Sequence, residues 1–458
     1  MAKKVDEEHN YYSDWADIAH GVDADGRATE LRPLALSRPH TQAFHLAWLS
    51  LFACFFAAFA APPILPALRP ALVLAPSDAS AAAVASLSAA LVGRLAMGPA
   101  CDLLGPRRAS GAASLVCALA LALAAVYASS PAGFVALRFC AGLSLSNFVA
   151  NQHWMSRIFA PSGVGLANAV AAGWANVGSA AAQVVMPLAY DFIVLRLGVP
   201  ITVAWRVAYL IPCAMLITTG LAVLAFPYDL PSGCAYGGGA KGGKGEGFWK
   251  VVRGGVCDYR AWVLALTYGY CYGVELIMEN VAADFFRRRF RLPMEAAGAA
   301  AACFGVMNRW RGWRRGSVRR GGKALRMGAT EAPSLAATMA VMVACGAFVQ
   351  AASGLTFGIV PFVSKRSMGV VSGMTASGGA VGAIMTNRLF FNSSRYTVEE
   401  SISFTGLTSL LCTLPVVLIY FPRSGGMLCG PSESDTDDHD GHDDDDDVNK
   451  DDGYMLLK

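Results

Sequence analysis

The chain has 458 residues, 55% of them apolar and 15% charged, and its mean hydropathy is +0.43. Soluble domains carry about a quarter charged residues, so the composition excludes a soluble globular protein and implies a chain embedded in a lipid bilayer. The net charge of +4 hides an uneven distribution: residues 433–452 hold 12 of the 33 acidic side chains, and without the tail 35 basic face 21 acidic residues, a balance of +14.

The first forty residues are polar and charged, so residues 1–42 read as a cytoplasmic tail without a signal peptide. A bilayer core of about 30 Å needs about 20 apolar helical residues. Candidate spans lie at 43–66, 79–100, 109–129, 133–155, 163–187 and 206–227, giving an N-terminal six-helix half over 43–227. A Gly- and Lys-rich central loop over 228–259 follows, with a flexible linker at 237–247. Further spans at 260–282, 334–363, 367–391 and 402–422 form a C-terminal helical half over 260–422. The acidic tail, 423–458, is expected to be disordered.

Arg107, Arg108, Arg157, Lys241, Lys244, Lys250 and Arg253 fall in alternate loops, with Arg69 and Arg196 as exceptions. That asymmetry puts the N-terminus and the central loop in the cytoplasm, and it is no sign of nucleic-acid binding. The 12 cysteines lie mostly inside apolar runs, as at Cys54, Cys117, Cys140, Cys271, Cys345 and Cys412, without metal or disulfide spacing. With no nucleophile–base set, nucleotide loop or metal constellation, neither enzymatic activity nor a cofactor is expected.

Arg94 interrupts the uncharged run from Ala79 to Cys101. A guanidinium inside a span is costly and faces a cavity or a partner. Its planar fork suits a small planar oxyanion; bonding to helix carbonyls or to a glutamate, merely tying helices together, is the alternative. Glu275 and Glu279 fall four apart on one face of the seventh span. Glu275 is a candidate to carry a coupled proton, against structural pairing with an arginine. Asn280, His45 and His153 are weaker candidates, and His439 and His442 among the tail aspartates are an unconvincing metal pair.

Gly98-Pro-Ala-Cys-Asp102-Leu-Leu-Gly105-Pro-Arg107 matches the loop pattern G-x-x-x-D-x-x-G-x-R of major facilitators, a fold with two packed six-helix halves. Ser88-Ala-Ala-Leu-Val-Gly-Arg94-Leu-Ala-Met-Gly98 is more specific and resembles the nitrate/nitrite porter family of algae, plants and fungi. So do Phe44-His-Leu-Ala-Trp48, Gln152-His-Trp154-Met-Ser156, Ala171-Ala-Gly-Trp-Ala-Asn176-Val-Gly178, Ala204-Trp-Arg206, Tyr268-Gly-Tyr270 with Gly273-Val-Glu275-Leu, and Ile359-Val-Pro-Phe-Val363. Ala175 stands where a glycine is usual in the family's fifth-span signature. The resemblance implies an all-α plasma-membrane carrier taking up nitrate or nitrite with protons. It makes Gly98, Asp102, Gly105 and Arg107 a cytoplasmic latch, and it places the anion on Arg94 between aromatic rings, with Phe52 or Phe55 and Tyr268 as candidates by position. Asn176, with Gly173 and Gly178, would let backbone approach the substrate. A single-span accessory subunit is a further implied partner.

The pattern breaks in the C-terminal half. The family's second intramembrane arginine falls four residues beyond the Asn of Phe304-Gly-Val-Met-Asn308, where this chain has Gly312 beside Arg311. From Arg309 the sequence is too basic for a lipid-facing helix, and the apolar stretch 293–308 is too short to cross. Resemblance resumes near Leu335, so the end of span eight and all of span nine are missing, and 309–333 is atypical. If span eight crossed, Lys365 and Arg366 would face outward; if neither crossed, the 309–320 arginines would. A faulty coding sequence is the favoured explanation over a divergent carrier; weak or absent transport is expected, and a carrier of another small anion or a nontransporting relative is the alternative function. Asn392-Ser-Ser394 fits a glycosylation sequon if its loop is external.

Overall fold

The computed structural model describes residues 21–23, 25–34, 39–226, 248–306, 334–364, 367–391, 396–421 and 425–426. The expected features at 1–20, 237–247, Asn308–Gly312, Lys365, Arg366, Asn392–Ser394, His439 and His442 lie outside them. Ten helices among the described residues are long and apolar enough to cross a membrane: His40–Leu72, Pro76–Cys101, Pro106–Tyr127, Pro131–Ile158, Pro161–Leu195, Ile201–Ala225, Tyr259–Phe290, Leu335–Val360, Met368–Phe391 and Glu400–Leu418. They are called here the first to tenth spans. Beside them lie a shorter helix, α1 (Met294–Val306), and a strand pair, β1 (Tyr420–Phe421) with β2 (Gly425–Gly426).

Helix boundaries follow local chemistry. The second, third, fourth and fifth spans open on Pro76, Pro106, Pro131 and Pro161, where a missing N–H costs nothing and φ is already helical. Ser130, Asp258, Ser334 and Thr397 cap their helices by accepting backbone N–H bonds. The seventh span outruns its expected end at 282 and continues to Phe290. At 32 residues it is about 48 Å long, well beyond a bilayer core. Its polar end is held by Asp284, which pairs with Arg288 one turn on at 2.7 Å and with Arg69 at 3.6 Å.

The first span packs on the fifth, the second on the fourth and the third on the sixth. The ninth span lies against both the second and the seventh, and α1 against the fifth, so the chain's two parts meet along these pairs. The first, seventh and ninth spans are each 72% buried over their most apolar stretch and the tenth 11%; the former line the centre and the latter faces lipid. Val116, Leu119, Leu123 and Val126 form an exposed apolar stripe on the third span, which water would not tolerate but lipid does. Small residues allow the closest approaches: a Cβ on Gly98 would stand 2.6 Å from the Gly369 carbonyl oxygen of the ninth span.

The apolar stretch 293–308 holds α1, whose 13 residues reach about 20 Å, short of the bilayer core. The next helix runs parallel to α1 instead of antiparallel. Both start beside the outrun end of the seventh span, where Phe286, Phe290, Leu292, Ala297, Leu335 and Met339 share one apolar cluster, and ten residues further along Gly346 faces the Phe304 carbonyl.

Candidate functional site

The fourth span is interrupted at Ser144–Ser146 by a 3-10 turn between helices 131–143 and 147–158. Local polar bonds account for the break: the Ser144 hydroxyl donates to the Cys54 carbonyl at 2.8 Å, and the Asn147 amide donates to the Ser50 and Ser114 hydroxyls at 2.9 Å. The turn presents the Leu145 carbonyl to Arg94 of the second span. Arg94 is fully buried and donates from Nε to Leu145 O at 3.3 Å, from Nη1 to Ala376 O of the ninth span at 2.7 Å, and from Nη2 to the Tyr272 hydroxyl of the seventh at 3.1 Å. One guanidinium thus joins four spans. All three acceptors are neutral, so its charge is solvated by dipoles and not cancelled by a carboxylate, a costly state for a buried ion.

Aromatic rings enclose it. The guanidinium carbon lies 4.9 Å from the Tyr272 ring centroid and 5.7 Å from that of Phe148, inside cation–π range. Tyr268 stacks on Tyr272 at 5.0 Å, and Phe357 of the eighth span stands edge-on to Tyr268 at 4.8 Å and to Phe148 at 5.1 Å. Tyr268 therefore belongs to the box one ring out from Arg94. Phe55 joins through Phe148 at 6.3 Å. Phe52 has no ring contact among the described residues; its backbone carbonyl sits directly under Gly178, where a Cβ would collide with it. The rings touching Arg94 are thus Phe148 and Tyr272, not the first-span phenylalanines expected from position.

The fifth-span signature packs on the first-span motif. Trp174 stacks on Trp48 at 4.4 Å, and Trp48 donates to His45 Nδ1 at 2.9 Å. His45 Nε2 therefore carries the proton and donates to Pro33 O at 3.0 Å. Gly173 and Asn176 are buried, and the Asn176 carbonyl accepts the Ser179 hydroxyl at 2.9 Å. His153 takes a 3.3 Å contact from Arg157 Nε.

On the seventh span Tyr272, Glu275 and Glu279 follow at three- and four-residue spacing, one face of a helix. Glu275 and Glu279 are the two buried carboxylates among the described residues. Glu279 accepts the Ser179 hydroxyl of the fifth span through Oε1, and its backbone carbonyl accepts the Gln183 amide at 2.9 Å. The next residue, Asn280, accepts from Arg138 Nη2 at 2.6 Å, while Arg138 Nη1 donates to Ala58 O at 2.5 Å. Arg138, buried like Arg94 and Arg107, is a guanidinium that sequence reading passed over.

The loop motif lies at the far end of the second span. Gly98 meets the ninth span there, Gly105 turns the chain at φ 86°, and Arg107 Nη1 donates to the carbonyls of Leu224 at 2.8 Å and Phe226, capping the sixth span. Such carbonyls lack partners at a helix end. The Asp102 side chain lies outside the described residues. No group of three His, Cys, Asp or Glu among the described residues is placed to hold a metal.

A family model described as Major Facilitator Superfamily matches residues 47–428. Two solved structures share the fold. One is a bacterial homologue of the human lysosomal transporter Spinster, inward-facing and unoccupied, at 14% identity and TM-score 0.58, covering 82% of this chain and 96% of that one. The other is the xylose transporter XylE from E. coli, partially occluded and inward open, at 12% identity and TM-score 0.59, covering 81% and 96%. Fold and family define a membrane carrier, not an enzyme. Sequence relatives narrow the class. The chain is 76% identical to a probable high-affinity nitrate transporter 2.4 of Oryza sativa subsp. japonica, with 100% of this chain and 98% of the relative covered. It is 44% identical to high affinity nitrate transporter 2.7 of Arabidopsis thaliana (92% and 92%) and 36% to nitrate transporter 2.2 of Chlamydomonas reinhardtii (90% and 86%). The chain belongs to the nitrate/nitrite porter family of major facilitators. The rice match runs over 487 positions against 458 residues here, so at least 29 positions of that relative (487 less 458) have no counterpart in this chain.

Proposed function

We propose that the chain carries nitrate, and nitrite with it, across the plasma membrane together with protons, by alternating access between its two helical parts. The observation that carries this reading is Arg94: a buried guanidinium with neutral acceptors, flanked by Tyr272 and Phe148, bonded both to the fourth span and to the seventh and ninth. A planar anion that takes over some of these donors lets the spans separate on one side without stranding the charge. The relatives named as nitrate transporters support nitrate as that anion. Cytoplasmic placement of both termini is supported by Arg107, Arg108 and Arg253 gathering at the end of the bundle where Gly98 meets Gly369 and Gly255 meets Val370. A single-span accessory subunit remains part of this proposal.

The parallel course of α1 and the eighth span, with the 29-position deficit, favours a second element of the reading: the chain has one clamp arginine and transports weakly. One guanidinium offsets less of the anion's dehydration than two. The test is [15N]nitrate uptake, and the nitrate-evoked proton uptake (external alkalinisation) that symport requires, in cells expressing this chain with and without the rice relative's segment in place of 307–333. Uptake above background that rises with the graft supports the reading. Vigorous saturable uptake by the ungrafted chain, unchanged by the graft, contradicts it.

A further inference from the structure

Glu279 and Gln183 face each other across the contact between the fifth and seventh spans and line one small cavity with Ser179, Ala180, Met278, Ala282, Ala301 and Phe304. Its size suits about one water molecule. Both side chains are at least nine-tenths buried. Glu279 Oε1 is occupied by Ser179, and the Gln183 amide nitrogen by the Glu279 carbonyl, which fixes which way the amide points. The two atoms left, Glu279 Oε2 and Gln183 Oε1, are both acceptors and neither has a donor. Two buried acceptors at one cavity call for a donor. A single proton supplies it: protonation of the carboxylate gives an acid whose O–H serves Gln183 Oε1, directly or through one water.

We propose that Glu279, cradled by Ser179 and Gln183, is the proton-binding site of the carrier. This rests on the symport reading above and names its second site. The placement couples it to the anion. Tyr272, the phenol that accepts from Arg94, sits on the same helix face as Glu275 and Glu279. Proton binding at Glu279 neutralises a negative charge two turns along the helix face that carries Tyr272, so the proton and the anion favour each other's binding. Proton release on the other side returns the carboxylate. The Ser179 and Gln183 bonds also link the two parts of the chain, so the charge state of Glu279 bears on the contact that alternating access must remake.

Other charged groups near Glu279 are few. The seventh span contributes Glu275 and Tyr272, and the fourth contributes Arg138 through Asn280. From the fifth span come the uncharged Ser179 and Gln183, with Asp191 three turns further along. α1 brings only Ala301 and Phe304 to the cavity, its Glu295 lying at the opposite end, and the eighth span has no charged residue.

The test is equilibrium dialysis of [15N]nitrate against the purified full chain across about pH 5 to 8, where buried carboxyl groups titrate. Binding is read directly, so slow transport does not obscure it. In the wild type, nitrate affinity is expected to fall as pH rises, by about 5- to 150-fold. Glu279→Gln should bind nitrate with an affinity nearly flat in pH, close to the wild type's low-pH value, and Glu279→Asp should restore a pH-dependent curve with a moved midpoint. Glu275→Gln should keep the wild-type dependence. A wild-type pH dependence surviving in E279Q, or vanishing in E275Q alone, overturns the assignment. So does loss of nitrate binding at every pH in both E279Q and E279D, which makes Glu279 a packing residue. If the wild type itself binds no nitrate at any pH, the nitrate reading fails instead.

Discussion

Arg94 makes three hydrogen bonds to neutral atoms, and a lysine cannot reproduce them. An ammonium lacks the planar fork, and its hydration is harder to replace. Arg94→Lys is therefore expected to weaken nitrate binding by about 2 kcal/mol or more, some 30-fold, with the protein still folded by size-exclusion profile. Binding within about threefold of wild type would sink the role given to the fork. Tyr272→Phe removes one neutral partner of a charged donor in the anion-free protein, a bond worth about 1.5–3 kcal/mol, and should lower the unfolding temperature in nitrate-free detergent; an unchanged temperature would argue against that bond. Arg94 was legible because it broke an apolar run. Tyr272 and Phe148 were not, since aromatic residues abound in these spans and only packing shows which two reach the guanidinium. Arg138 was equally legible, a lone cation inside the fourth span, and was passed over because no motif drew attention to it.

Among the elements, the first and fifth spans approach so closely that Gly178 leaves no room for a side chain above the Phe52 carbonyl. Gly178→Ala should push the helices apart at a cost typical of overpacking, about 1–3 kcal/mol, seen as a lower unfolding temperature in detergent; an unchanged temperature would refute the close contact. At the sixth span's end, Arg107→Gln strips the cap from the Leu224 and Phe226 carbonyls. Faster proteolysis near that end is the expected sign, and equal cleavage rates the contrary one. Most spans were readable from hydropathy, and proline starts sharpened their edges. The seventh was cut short in sequence reading because Asp284 and the arginines after it resemble a loop. In the fold they are helix beyond the bilayer core, held by pairing with Arg69 and with each other.

For the whole molecule, the sequence loses the family's motifs from Arg309, and among the described residues α1 and the eighth span are neighbouring helices running the same way. Topology alone left two frustrated arrangements. We propose the one in which neither piece of the missing pair crosses, because α1 and the eighth span start at the same end of the bundle. Gly312 stands in sequence where the family resemblance implies a second arginine, so the proposed anion site rests on the second, fourth, seventh and ninth spans. Nitrate counterflow in proteoliposomes tests this most directly, because it needs binding and alternating access but no proton gradient. With the full chain, vesicles preloaded with nitrate are expected to take up [15N]nitrate slowly, yet above vesicles carrying Arg94→Gln, with competition by nitrite and none by sulfate. Equal uptake by the wild type and R94Q would contradict an anion site at Arg94.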